Sequence, residues 1–138
     1  MKVLIVEPEK TAYEAEIGDS LKDMQNVVGG RIEAVYPYEE PVAIVCNDEG
    51  KLDGLPLNRA LRNDTGNVYD IVAGTFFVCG LDEDSFASLS PEHMEKFMGE
   101  FRDPEVFMRV NGKILAIKVS EQDLDNSNRS SEHNDHER

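Results

Sequence analysis

Hydrophobic and polar residues alternate with a period of two in several stretches of the chain, which predicts short β-strands. Residues 2–6 and 13–17 flank a proline turn and predict a hairpin. Residues 31–36 alternate in the same way, whereas residues 42–46 are apolar throughout, which indicates a strand covered on both faces. Between these strands, residues 20–28 repeat apolar side chains at helical spacing before two glycines, so they predict a short amphipathic helix.

The second half of the chain carries three further signals. Residues 68–80 have strong β character, and Gly74 in their middle marks a bulge, a bend or a close backbone approach, so we expect two strands. Ser90 and Pro91 predict the start of a helix. Asn111-Gly112 between two apolar stretches predicts a second hairpin. The helix that begins at Pro91 has an apolar stripe that should face a sheet, formed by Met94, Phe97, Met98 and Phe101.

The segment from residue 47 to residue 66 is less regular. "NDEG" predicts a polar turn, after which Lys51 and Leu52 could return as an antiparallel strand. Residues 57–61 are ambiguous between a helical turn and a loop, and "NDTG" at residues 63–66 is turn chemistry.

The pattern changes after Val119. Residues 120–138 are polar and nearly free of hydrophobic side chains, so they predict a disordered acidic tail. The chain is therefore predicted to be a single α+β domain over residues 1–119, followed by this tail. We expect a mostly antiparallel sheet with two or three packed helices.

Charge narrows the classes of partner. The chain has 28 acidic and 14 basic residues and a formal net charge of -14. A field of that sign repels phosphate backbones and anionic lipids, so we expect no direct binding to nucleic acid or membranes. It would attract a basic protein surface, although solubility is the commoner reason for such a charge.

Cysteine and histidine usage points away from disulfides and metals. Cys46 and Cys79 stand alone in apolar runs and are predicted to be reduced core thiols. His93 is predicted to be a surface residue in the first turn of its helix. His133 and His136 lie three apart in the predicted tail, where a genuine metal site is not expected.

The chain lacks the common signatures of catalysis and targeting. The acidic residues of "NDEGKLDG" do not fit the ligand frame of an EF-hand, and no phosphate-binding, dinucleotide-binding, zinc-protease or hydrolase motif occurs. The first apolar run is too short for a signal peptide or a membrane span. We therefore expect a cytoplasmic protein that is not an enzyme and uses no cofactor or metal.

One candidate site is a small cationic patch in "GLPLNRAL". If residues 57–62 form a helical turn, Arg59 and Arg62 share one face beside Asn58, and Thr75 could add a hydroxyl. Such a patch could hold an anionic nucleotide. The alternative is that Asn58 caps a turn and Arg59 forms an internal ion pair, with Asp48, Asp53 or Asp70 as partner.

A second candidate is an acidic face that could mimic phosphates and occupy the basic cleft of another protein. A solvated surface is the more frequent explanation for such residues. The residues predicted for this face are Asp82, Glu83, Asp84, Glu92, Glu95 and Glu100.

Two blocks of the sequence carry a resemblance to a known family. They are "GGRIEAVYPYEEPVAIVCNDEGKLDGLPLNRAL" and "YDIVAGTFFVCGL", and the likeness runs from about Lys2 to Val119. They resemble the domain of unknown function 3846 family, small proteins of phages, plasmids and conjugative elements. The resemblance implies a gene on a mobile element, often near antirestriction genes, and it implies no catalytic or binding residues.

From the charge and the resemblance together we expect a binding protein of a mobile element with a counter-defence role. Its acidic face would inhibit a host nuclease or a CRISPR or restriction effector. Two alternatives remain: a module that sequesters an anionic nucleotide, and an uncharacterised housekeeping accessory protein of the element. Oligomeric state does not follow from the sequence.

Overall fold

The computed structural model describes residues 1–126, and this part of the chain forms ten β-strands and three α-helices. The helices are α1 (Leu21–Val28), α2 (Pro91–Phe101) and a short α3 at residues 121–126. The strands are β1 (Lys2–Val6), β2 (Tyr13–Glu16), β3 (Ile32–Val35), β4 (Val42–Asn47), β5 (Leu57–Arg62), β6 (Val68–Ala73), β7 (Phe76–Asp82), β8 (Ser85–Ala87), β9 (Glu105–Val110) and β10 (Lys113–Lys118).

The strands form one six-stranded sheet and two hairpins, and every pairing is antiparallel. The large sheet has the order β2-β1-β7-β4-β3, with β8 also paired to β7. The predicted α+β fold and the β1–β2 hairpin are confirmed. β4 lies between β7 and β3, and its side chains alternate between two cores, with Val42, Ile44 and Cys46 in one and Ala43 and Val45 in the other. Residues 42–46 are therefore apolar because both faces of the strand are covered.

The sheet buries both of its faces. Phe76 and Phe77 are adjacent in β7, and because successive strand residues point to opposite sides, each enters a different core. Phe76 packs with the apolar stripe of α2, and Phe77 packs with Met24 and Val28 of α1. The chain is thus layered, with α1 on one face of the sheet and α2 with the β5–β6 hairpin on the other.

The helices begin and end as their sequences predict. The Ser20 hydroxyl accepts a hydrogen bond from the Asp23 amide at the start of α1, and Ser90 does the same for His93 in α2. Gly29 ends α1 with a left-handed φ of 78°, a conformation that costs glycine little.

Residues 57–62 do not form a helical turn or a loop, and this prediction is wrong. They form β5, which pairs with β6 and buries four consecutive side chains from Asn58 to Leu61. A segment this short, with Asn58, Arg59 and Arg62 among its apolar residues, has no decisive period, so its pairing partner decides its structure. Lys51 and Leu52 do not form a strand either, because residues 48–54 make successive turns.

The remaining predictions concern the C-terminal part of the described chain. The β9–β10 hairpin is confirmed, and Asn111 and Gly112 turn it with φ of 51° and 78°. The prediction of a disordered tail from residue 120 is wrong for its first residues, because residues 121–126 form α3 and the Glu121 carboxylate accepts a hydrogen bond from the Thr11 amide. The rest of the predicted tail, with His133 and His136, lies outside the described residues.

Candidate functional site

Asn58 and Arg59 lie in the interior, although they are adjacent polar residues in a strand. Asn58 is 1% exposed to solvent and Arg59 is 0% exposed. The register of β5 against β6 shifts between Leu57 and Arg59, so Asn58 is an extra residue in the strand. Such a bulge interrupts the alternation of side chains and lets neighbouring residues point inward together.

The Arg59 guanidinium is surrounded by oxygen atoms of the chain itself. Nε donates to the carbonyl of Phe101 at 3.0 Å, and Nη2 donates to the carbonyl of Lys10 at 2.7 Å. Nη1 donates to the Asn58 side-chain oxygen at 2.8 Å and is also near the carbonyls of Asn58 and Glu7. The donors of Arg59 are thus satisfied without a carboxylate, and the expected ion pair with Asp48, Asp53 or Asp70 is wrong.

The positive charge of Arg59 lies in the protein interior, where burial disfavours the protonated form. Burial lowers the pKa of Arg59 to about 10, while the more distant carboxylates Glu105 and Asp103 act in the opposite direction. The guanidinium therefore stays protonated at neutral pH. The Phe101 carbonyl is at the end of α2, where the helix dipole favours a cation, so Arg59 joins α2 to the β1–β2 loop.

Arg62 has a separate environment. It pairs with the Glu105 carboxylate at 2.8 Å and also donates to the Ala116 carbonyl at 3.1 Å, so it attaches the β9–β10 hairpin to β5. The Glu105 side chain is fully buried. Arg59 and Arg62 therefore do not form the shared cationic face that the helical turn predicted.

Thr75 lies between β6 and β7, directly after the bend at Gly74. The Asn58 amide nitrogen donates to the carbonyls of Val6 and Gly74, both at 2.8 Å, so it fixes the bend that precedes Thr75. Gly74 has a φ of 80°, and a Cβ there would lie 2.7 Å from Leu55. The structure thus confirms the bend at Gly74, where the close neighbour is the Leu55 side chain, and it gives Asn58 a structural role rather than a turn cap.

A crevice of about 260 Å³ lies between the turns at residues 48–53 and the β5–β6 hairpin. Its charged lining is mainly acidic, and its one cation, Lys51, pairs with Asp70 at 2.6 Å. Arg31 pairs with Asp48 and Glu49 on the same turn. This crevice does not favour an anionic nucleotide, because carboxylates repel phosphates.

The six residues of the predicted acidic face fall into three places. Asp82 is the exposed last residue of β7, Glu83 and Asp84 form the exposed β7–β8 turn after it, and Glu92 and Glu95 are exposed on α2. Glu100 is separate, since it lies in the last turns of α2 and accepts a hydrogen bond from the Tyr38 hydroxyl at 3.3 Å. Burial is the main cause that raises the pKa of Tyr38, and the negative charge of Glu100 raises it further. The Tyr38 hydroxyl therefore stays protonated and remains a hydrogen-bond donor.

The β7–β8 turn borders a hollow that the sequence did not reveal. The hollow has a volume of about 640 Å³, and we call it the acidic hollow. Its lining residues are Asp19, Tyr36, Leu81, Glu83, Asp84, Ser85 and Phe86. Tyr36 is 60% exposed, and within residues 1–126 no cationic group pairs with Asp19, Glu83 or Asp84.

Both cysteines are buried and free. Burial raises the pKa of Cys46 to about 11 and that of Cys79 to about 12. Because the thiolate is the reactive form, we expect native protein at pH 8 to react with a thiol reagent roughly 100-fold more slowly than unfolded protein. Timed alkylation with mass spectrometry checks this, and rapid labelling of either native cysteine would contradict it.

Two further properties of the described residues bear on function. Residues 1–126 contain no helix that is both long and apolar enough to cross a membrane. No group of three His, Cys, Asp or Glu side chains in this part of the chain is placed to hold a metal ion. His93 is half-buried, with its ring 6.4 Å from that of Phe97.

Comparison with known proteins gives one match. A family model described as "Domain of unknown function (DUF3846)" matches residues 1–102. The match ends before the β9–β10 hairpin, so it is shorter than the likeness to Val119 that the sequence blocks suggested. No curated protein and no solved structure matches the chain.

Proposed function

We propose that this chain, which belongs to the family described as Domain of unknown function (DUF3846), is a protein-binding module that acts without catalysis. Its acidic hollow binds a basic surface on a protein partner. The observation that carries the proposal is the set of three carboxylates around an exposed tyrosine, none of which has a cationic partner within residues 1–126.

The chemistry of the hollow fits a protein interface. Tyrosine is a frequent energetic anchor in interfaces, because it buries a large apolar ring and still offers a hydroxyl. Carboxylates around such an anchor attract lysine and arginine and accelerate encounter with a basic partner. Glu92 and Glu95 extend the negative field from α2.

The partner proposed here is a host nuclease or a CRISPR or restriction effector. Such proteins carry basic clefts for nucleic acid, and carboxylates spaced around a protruding turn can occupy such a cleft in place of phosphates. The resemblance to proteins of phages, plasmids and conjugative elements supports a counter-defence role. The protein would then act by masking the effector.

The proposal is tested by capture of partners from a bacterial lysate on the immobilised full-length protein, followed by elution with salt. We expect a basic protein that binds at low salt and is released as ionic strength rises. The double variant Glu83→Lys, Asp84→Lys should weaken its binding at least about tenfold.

The matched control is Glu9→Lys with Asp53→Lys. This variant makes the same change in net charge, but it alters exposed turns at the opposite end of the sheet from the β7–β8 turn. It should bind almost as wild type does. Binding that is indifferent to salt, or lost equally in both variants, would show that the acidic hollow is not the site.

A further inference from the structure

Strand β3 is an open edge of the six-stranded sheet. It pairs with β4 on one side, and within residues 1–126 no strand pairs with its other side. The Arg31 carbonyl accepts a hydrogen bond from the Asp48 amide at 2.8 Å, and bonded pairs alternate along an antiparallel ladder. Ile32 and Ala34 therefore point their N–H and C=O groups away from β4, along the outer edge of the sheet.

The surroundings of this edge are acidic on both faces of β3. Ile32 and Ala34 pack in the core beside α1, and Tyr36, which follows the strand on the same face, lines the acidic hollow. Glu33 is exposed on the other face and forms no ion pair within residues 1–126. Charge therefore favours a basic occupant for this edge.

We propose that β3 accepts an extended basic segment of a protein partner as an additional strand. This inference rests on the function proposed above, because the segment belongs to the partner whose basic surface enters the acidic hollow. In strand addition, backbone hydrogen bonds supply affinity and alternate side chains supply selectivity. Since Tyr36 directly follows β3, one continuous segment can pair with the edge and reach the hollow.

The other edge of the sheet, β2, does not offer the same continuity. Three strands separate β2 from β3, which corresponds to roughly 19 Å between the two edges at the usual strand spacing. A segment that pairs with β2 would therefore lie far from Tyr36. β3 is the edge at which backbone pairing and the acidic hollow are available together.

The register of β3 defines the side chains that the segment needs. Residues that face each other in an antiparallel pair share a face of the sheet, and opposite charges at such positions stabilise the pair. The segment therefore has basic residues opposite Tyr36 and Glu33, and apolar residues opposite Ile32 and Ala34. The probe is the peptide Arg-Val-Val-Lys-Val-Thr, acetylated and amidated, whose first residue is set opposite Tyr36.

Hydrogen exchange followed by NMR, with full-length protein and this peptide, tests the proposal. We expect exchange at the Ile32 and Ala34 amides to slow at least about tenfold near saturation, because the peptide supplies their acceptors. The Glu14 and Glu16 amides are an internal control. They point outward from β2, since the neighbouring Ile17 and Met1 form a hydrogen-bonded pair, and their exchange should not change.

Two N-methylated peptides of identical charge test the direction of pairing. Methyl groups on the amides of the third and fifth residues remove the donors aimed at β3, so this peptide should bind at least about tenfold more weakly. Methyl groups on the second and fourth residues point away from β3, and that peptide should bind as the unmodified one does. The protein itself is unchanged in this comparison, so misfolding does not enter.

Three results with the peptides would overturn the proposal: no binding up to about 2 mM, equal binding of both methylated peptides, or binding without protection of Ile32 and Ala34. Protection of these amides on raising the protein concentration alone would assign the edge to a second copy, and it would also overturn the proposal.

Capture from a lysate separates this inference from the proposed function. Ala34→Pro removes an outward donor without touching the hydrogen bonds between β3 and β4, and proline is tolerated in edge strands. We expect it to weaken binding of the captured partner at least about fivefold. Unchanged binding in this variant, together with loss in Glu83→Lys, Asp84→Lys, would overturn strand addition and leave the acidic hollow as the site.

Discussion

Replacement of Arg59 by Met is expected to lower the free energy of unfolding by about 4 kcal/mol. Methionine fills much of the space, but it offers no donor to the carbonyls of Phe101 and Lys10 or to the Asn58 side chain. Each buried acceptor left without a partner costs about 1–3 kcal/mol, although water can reach some of them. Urea denaturation monitored by circular dichroism measures the loss.

The replacement Arg59→Lys separates the role of charge from that of geometry. Lysine keeps the positive charge near the end of α2, but it presents a single ammonium group in place of the planar guanidinium that reaches three parts of the chain. We expect it to recover less than half of the loss. Recovery to wild-type stability would mean that the helix dipole, rather than the set of hydrogen bonds, accounts for the stabilisation.

The control for this experiment is Arg31→Met. Arg31 pairs with Asp48 and Glu49, but its side chain is 72% exposed, and exposed ion pairs contribute about 0–1 kcal/mol. A loss for Arg59→Met no larger than that of the control would contradict the structural role of Arg59. Such a result would instead favour the alternative in which Arg59 binds an anionic ligand.

The contrast between these arginines shows what the sequence could reveal about the candidate site. An arginine in a chain with twice as many acids as bases suggests a carboxylate partner. Arg59 instead meets backbone carbonyls, because the end of α2 and the β1–β2 loop converge on β5. That convergence joins segments 42 and 49 residues away in sequence, so no local pattern could indicate it.

The fold was more predictable than the site for a physical reason. Alternation, helix caps and the Asn-Gly turn are local signals, and they predicted both longer helices, the second hairpin and the strands of the large sheet except the three-residue β8. β5 was missed because a bulge at Asn58 removes its alternation. The acidic hollow was missed because Asp19 and Tyr36 meet Glu83 only through the order of strands in the sheet.

Replacement of Glu105 by Ala is the second change with a large expected effect, a loss of about 3 kcal/mol. The Glu105 carboxylate is fully buried, accepts from Arg62 at 2.8 Å and lies 3.4 Å from the Ala60 amide nitrogen. Among residues 1–126, its removal leaves Arg62 with the Ala116 carbonyl as its remaining acceptor and leaves the Ala60 amide without this one. Urea denaturation measures the loss, and Asp70→Ala, which breaks the exposed pair with Lys51, should cost less than about 1 kcal/mol.

A double-mutant cycle shows whether the loss comes from the pair itself. Glu105→Ala combined with Arg62→Met should be less destabilising than the sum of the two single changes, because the double variant contains no uncompensated charge. Additive losses would show that the two side chains act independently.

The pair also fixes the β9–β10 hairpin to β5, so hydrogen exchange in Glu105→Ala should accelerate first at the amides of that hairpin. Exchange that accelerates uniformly over the chain would mean that the hairpin unfolds only together with the sheet, and that the Arg62–Glu105 pair stabilises the whole domain.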